Sequence, residues 1–85
     1  MVSIAVEYAA SAFKHGIAEA DIFNAILVPV YDDMQDTDRD RHLLLGFDRG
    51  MNLLEIAYNV IDERTIKVFH AMKCRKSYYA KLRRK

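Results

Sequence analysis

Near the start of the chain Ile4, Tyr8 and Ala12 recur at helical spacing, and Gly16 follows where a helix would stop, so the pattern predicts a helix over residues 4–13. A second helix is predicted over residues 18–27, where Ile22, Ala25 and Ile26 line one side behind Ile17. Glu19 and Asp21 belong to its first turn, at the positive end of the helix dipole, and Pro29 ends it. Residues 32–40 hold five aspartates without periodicity and read as an exposed loop.

Three later runs, residues 41–48, 51–61 and 65–72, have strand character and are separated by the turn signals Arg49-Gly50 and Asp62-Glu63-Arg64. They predict a three-stranded antiparallel meander. Alternation puts Leu54, Ile56, Tyr58 and Val60 on one face of the middle strand, with Glu55 and Asn59 on the other. In the last strand it puts Ile66, Val68, His70 and Met72 together, and Thr65, Lys67, Phe69, Ala71 and Lys73 on the more polar face. A final helix from about Lys76 packs Tyr78 and Leu82 at i, i+4 and presents Lys76, Lys81, Arg83 and Arg84. The expected class is α+β, with N-terminal helices, a three- to four-stranded antiparallel sheet and a basic C-terminal helix.

Composition alters this picture little, because 52% hydrophobic and 29% charged residues is an ordinary globular balance. Its 85 residues make one domain, 1–85. No apolar run approaches the roughly 20 residues of a membrane span, and no basic segment leads into an apolar stretch at the N-terminus. A cytoplasmic protein without a membrane partner is expected. Cys74 has no second thiol for a disulfide or a zinc site, so no metal and no cofactor are expected.

Charge alters it more. The net charge of +1 hides an excess of −8 over residues 1–63 and of +9 over residues 64–85. A block that basic, with no acidic residue in it, suits a polyanion, with RNA foremost. A solvated tail, or a surface on which the acidic part docks, is the plainer explanation of the same charges.

No phosphate loop, nucleophile elbow or metal fingerprint is present, so chemistry has to be sought in a looser cluster. It lies where the last strand runs into the last helix, with His70, Lys73, Arg75 and Tyr79 as candidate catalytic residues and Lys76 and Tyr78 beside them. Cleavage of RNA by its own 2′-hydroxyl needs a proton acceptor, a cation for the phosphorane and a proton donor, and these residue types supply all three. A histidine on an apolar strand face is also what a hydrogen-bonded core residue looks like. Lys14, His15, Arg41, Lys67, Lys76, Lys81, Arg83 and Arg84 are the candidate RNA contacts. Lys14 and His15 could equally serve the C-terminal end of the first helix, and Arg41 could pair with an aspartate of the loop. Tyr79 can stack a base, whereas Tyr78 is the one expected in the core.

Four stretches resemble BrnT-like toxins of type II toxin–antitoxin systems: K-H-G-I at 14–17, D-T-D-R-D-R-H-L-L-L-G-F-D at 36–48, N-L-L-E-I at 52–56 and I-K-V-F-H-A-M-K-C-R at 66–75. The similarity runs over most of the chain from about Phe13. It implies a RelE-like α+β fold, RNA endonuclease activity that arrests translation and bacterial growth, and a cognate DNA-binding antitoxin; a homodimer is among the assemblies it allows. The family pattern of a K-H-G turn, an arginine opening a strand ahead of a glycine, and a basic A-R-K-type segment maps onto Lys14-His15-Gly16, Arg41 with Gly46, and Ala71-Met72-Lys73 with Arg75. Met72 departs from the usual basic residue there, and His70 stands where a small residue is common. The residues alone leave a second reading open, a non-catalytic domain of the same fold that binds nucleic acid or a partner protein.

Overall fold

The computed structural model of the chain describes residues 4–36 and 41–83. In chain order its strands are β1 (Ala5–Tyr8), β2 (Pro29–Asp36), β3 (Arg41–Phe47), β4 (Leu53–Asp62) and β5 (Thr65–Lys73). One helix, α1 (Glu19–Leu27), follows the predicted position, and two 3-10 helices span Ala10–Phe13 and Lys76–Arg83. The strands form one sheet in the order β1-β5-β4-β3-β2, with β1 parallel to β5 and every other pair antiparallel. The predicted meander is its centre, and the flanking strands make the described sheet five-stranded instead of three- or four-stranded.

Both flanking strands replace expected elements. The first predicted helix is β1 followed by a 3-10 helix, because Ile4, Val6 and Tyr8 also alternate at a period of two. Pairing Val6 with Ile66 and Tyr8 with Val68 half-buries both side chains at the edge of the core, which a single helical stripe would not do for Val6. The acidic segment is strand to Asp36, and the rest of that expected loop, 37–40, lies outside the described residues. An edge strand tolerates aspartates because they repel a further strand, and Pro29 sits at its first residue, where a missing N–H is harmless. Asp32 is also held from within: Tyr58 donates its hydroxyl to both carboxylate oxygens at 2.9 Å, and burial together with this bond pushes the phenol pKa up.

The sheet has two unlike faces. On the helix face, Ile22 and Ala25 of α1 pack with Leu44, Leu54, Ile56, Tyr58, Val68 and Ala71. On the other face, Leu43, Leu45 and Cys74 are covered by Tyr31, Leu53 and Tyr78, so the C-terminal 3-10 helix shields only part of it. That helix rises with three residues per turn, which aligns Tyr78 with Lys81 and leaves Leu82 41% exposed, not packed at i, i+4 as expected.

Within β5, strict alternation fails at Phe69. Ala57 pairs with His70 and Tyr58 with Val68, so Phe69 is an extra residue opposite the step between them. Beyond this bulge the phase of β5 is inverted. Ala71 and Lys73 align with Ile56 and Leu54 of the helix face, while His70 and Met72 align with Ala57 and Glu55. His70 therefore leaves the Ile66 and Val68 face to which alternation assigned it. Ser11 donates its hydroxyl to the Phe69 carbonyl at 2.7 Å, anchoring the bulge to the first 3-10 helix.

α1 approaches the sheet most closely at Gly46, where an added Cβ would overlap the Ala25 backbone carbonyl. Gly46→Ala is expected to force α1 outward and cost about 1–3 kcal/mol, as overpacking a core does. Urea unfolding measures it, and a midpoint unchanged from the parent chain would mean that α1 is not seated on β3 this way.

Candidate functional site

The bulge, the exposed remainder of the second face and the turn after the first 3-10 helix together enclose an open cleft of about 580 Å3. Glu55 forms its floor. Although it stands in β4 as the polar member of an alternating strand, its side chain is only 1% exposed. A buried carboxylate must find cationic donors or lose its charge. Oε1 accepts the Arg75 backbone N–H at 3.0 Å and its Nε–H at 3.1 Å, while Oε2 accepts from Arg75 Nη2 at 2.7 Å and lies 3.0 Å from His70 Nε2. Burial pushes the Glu55 carboxyl up, but the bonds from Arg75 and His70 outweigh it and hold it below the usual carboxylate range. The same bonds hold the Arg75 guanidinium protonated even more firmly than usual.

Because an ionised carboxylate only accepts, the His70 Nε2 that meets Glu55 carries a proton, and Nδ1 is the nitrogen able to take another. The His15 ring meets His70 edge-on, with centroids 5.6 Å apart. Arg75 is 55% exposed on its far side and lies 5.3 Å from the centre of the Tyr78 ring, so it bridges a buried anion and the open cleft. Lys14 and Arg41 line the rim, and Leu43, Ala57 and Phe69 supply apolar walls. The arrangement offers the adjacent imidazoles of His15 and His70, a third at His42, an anchored guanidinium and two further cations around a space in the usual size range for a small-molecule or nucleotide site.

This architecture has a counterpart of known structure. The Brucella abortus ribonuclease toxin BrnT superposes on the chain with a TM-score of 0.67, covering 87% of this chain and all of that one at 15% sequence identity. The chain has the BrnT fold. No protein-family model matches it, and no curated protein does. None of the described helices is long and apolar enough to cross a membrane.

On this BrnT fold the residues singled out from sequence divide into two groups. Lys14, His15, Arg41, His70 and Arg75 line the cleft, three of them far from the basic C-terminal block in sequence. Lys73 is exposed, and the register puts it beside Leu54 on the helix face, away from His70. Tyr79 is 45% exposed but lies off the cleft, which Tyr78 lines in its place. Lys67 stands opposite Glu7 of β1, Lys76 is exposed, and the Lys81 ammonium lies 5.4 Å from the centre of the Tyr31 ring. Arg83 ends the second 3-10 helix, and Arg84 lies outside the described residues.

Glu55, Phe69, His42 and Ser11 are among the cleft residues that sequence reasoning missed. A signal for Glu55 was present, since a single carboxylate inside the apolar run L-L-E-I-A is costly to bury without a partner. Phe69 and the phase inversion left none, because a bulge depends on pairing with another strand.

Glu55 also sets a pH dependence. Its folded pKa is depressed, so its contribution to stability is fully present above the unfolded carboxylate value of about 4.3 and is lost as pH falls through the folded value. Urea titrations from neutral pH down to about pH 3 are expected to show stability falling, and Glu55→Gln to flatten that fall while costing about 1.5–3 kcal/mol at neutral pH. Parallel curves for the two chains would mean that Glu55 is not a buried, paired carboxylate.

Proposed function

We propose that this chain is the toxin of a type II toxin–antitoxin pair and acts as a metal-independent RNA endonuclease that arrests translation and growth. The observation that carries the reading is the clamp of His70 and Arg75 on the buried Glu55 carboxylate, facing a cleft rimmed with cations. The BrnT fold and the sequence resemblance support the same reading, including a cognate antitoxin as partner and the cytoplasm as the place of action.

In this mechanism His70 Nδ1 takes the proton of a ribose 2′-hydroxyl, with Glu55 holding the ring and balancing the imidazolium that forms. The freed oxygen attacks the adjacent phosphorus. Arg75 is already fixed by Glu55, so its guanidinium can stabilise the charge of the phosphorane without reorganising, and Lys14 adds a second cation. His15, edge-on to His70, gives a proton to the departing 5′-oxygen. The products are a 2′,3′-cyclic phosphate and a 5′-hydroxyl. Lys67, Lys76 and Lys81 act at a distance, as sequence-independent attraction for the phosphate backbone. Lys73, on the far face, is not needed for chemistry in this scheme.

Purified chain is expected to cut RNA to 2′,3′-cyclic ends in EDTA, with a bell-shaped pH–rate profile. Arg75→Gln should lose about 10²–10³ in rate. His70→Ala and His15→Ala should each lose about 10²–10⁴ in rate, while Lys73→Gln keeps the parental rate. RNA that is shifted in a gel but never cut would identify a nucleic-acid-binding domain instead, and cleavage that needs added magnesium would overturn the mechanism.

A further inference from the structure

The cleft is chemically polarised along β4. The register sets Glu55 level with Leu45 and Met72, and Asn59 level with Arg41 and Lys67, four residues or about 13 Å further on. The proton-transfer and guanidinium groups gather at the Glu55 end. Toward the other end the walls are Leu43, Ala57 and the half-buried ring of Phe69, with the Arg41 guanidinium carbon 5.4 Å from the ring centre. Phe69 belongs to neither hydrophobic cluster of the fold, so its ring is not committed to either core. The bulge keeps Phe69 and His70 side by side on the cleft, where a regular strand would send neighbours to opposite faces.

Cations alone suffice to hold a phosphate backbone. A ring with an exposed guanidinium above it, beside a base and an acid, does something more: it receives a flat π-system, with the ring on one side and the guanidinium on the other side or at the edge. In duplex RNA the bases are stacked and inaccessible to such a platform, whereas an unpaired base can be splayed onto it.

We propose that Phe69 and Arg41 form a nucleobase subsite, so that the substrate is single-stranded RNA with one base unstacked onto Phe69 and its ribose turned toward His70. The inference rests on the ribonuclease reading above and adds the substrate class and two specificity residues. Phe69 supplies affinity for a base of any identity, because every base has a π-face. Arg41 supplies donors for acceptors on the base edge, so the choice among bases follows Arg41.

The test separates binding from cleavage by using single-stranded RNA carrying 2-aminopurine and 2′-O-methyl groups throughout, which removes the attacking hydroxyl. Fluorescence titrations at several salt concentrations are expected to show Phe69→Leu weakening binding about 10–100-fold with an unchanged salt slope. Phe69→Tyr should retain parental binding, and Arg41→Gln should level the preference among strands that differ in one base. On cleavable RNA, Phe69→Leu should raise KM by a similar factor, and a fully paired RNA should compete poorly. If the parent chain cuts RNA but Phe69→Leu binds the blocked strand within twofold of it, or Phe69→Tyr loses as much as Phe69→Leu, the subsite is wrong and the ribonuclease reading stands. If the parent chain neither binds nor cuts RNA, both are overturned.

Discussion

At Phe69 β5 carries a residue that β4 does not pair, and the cleft side of the sheet is arranged around that local surplus. Up to Val68 the strand alternates in phase with β1 and delivers Ile66 and Val68 to α1. In the same phase His70 would be driven into that apolar layer and Ala71 onto the open face. The bulge exchanges them, so small Ala71 fills the space beside Ala12 and the imidazole reaches a carboxylate. A bulge leaves backbone groups without ladder partners. Here the Phe69 carbonyl is taken by Ser11, which ties the local distortion to the segment that also presents Lys14 and His15.

Glu55 is the second constraint, and it follows from the first. A carboxylate with almost no exposure persists as an anion only if donors surround it, and Arg75 and His70 are available because the bulge and the end of β5 bring them there. Such a pair adds little net stability compared with apolar residues of the same volume. What it does add is direction: one imidazole tautomer is selected, and Arg75 is held through both its backbone N–H and its guanidinium while the outer side of the guanidinium stays open.

The sequence was most informative where a single element decides its own pattern. The meander is legible in β-rich runs broken by turn residues, and α1 in apolar spacing behind Glu19 and Asp21. It was least informative where a second strand decides. Ile4 and Tyr8 satisfy both a period of four and a period of two, and only a partner such as β5 settles the matter for β1. The aspartates of β2 argue for a loop until β3 offers an edge on which one side of the strand can remain in water. Alternation puts His70 on the Ile66 and Val68 face, and the register puts it on the other, because alternation has no means of registering an insertion opposite β4.

Charge shows the same limit in a different form. Along the chain the basic residues collect after Arg64, yet Lys67, Lys73, Lys76 and Lys81 are spread over the face of the sheet opposite α1, the helix face and the C-terminal 3-10 helix. The cleft instead draws Lys14 and Arg41 from the acidic part of the chain and only Arg75 from the basic part. Glu55 neutralises one of these cations at short range, which makes Arg75 a fixed dipole end rather than a bare charge. The dispersed lysines therefore contribute a screened field that fades over roughly 10 Å. Within the cleft, Arg75 alone is clamped, by Glu55, while Lys14 and Arg41 stand on the rim, one after the first 3-10 helix and the other at the start of β3, so the fixed charge sits at the Glu55 end.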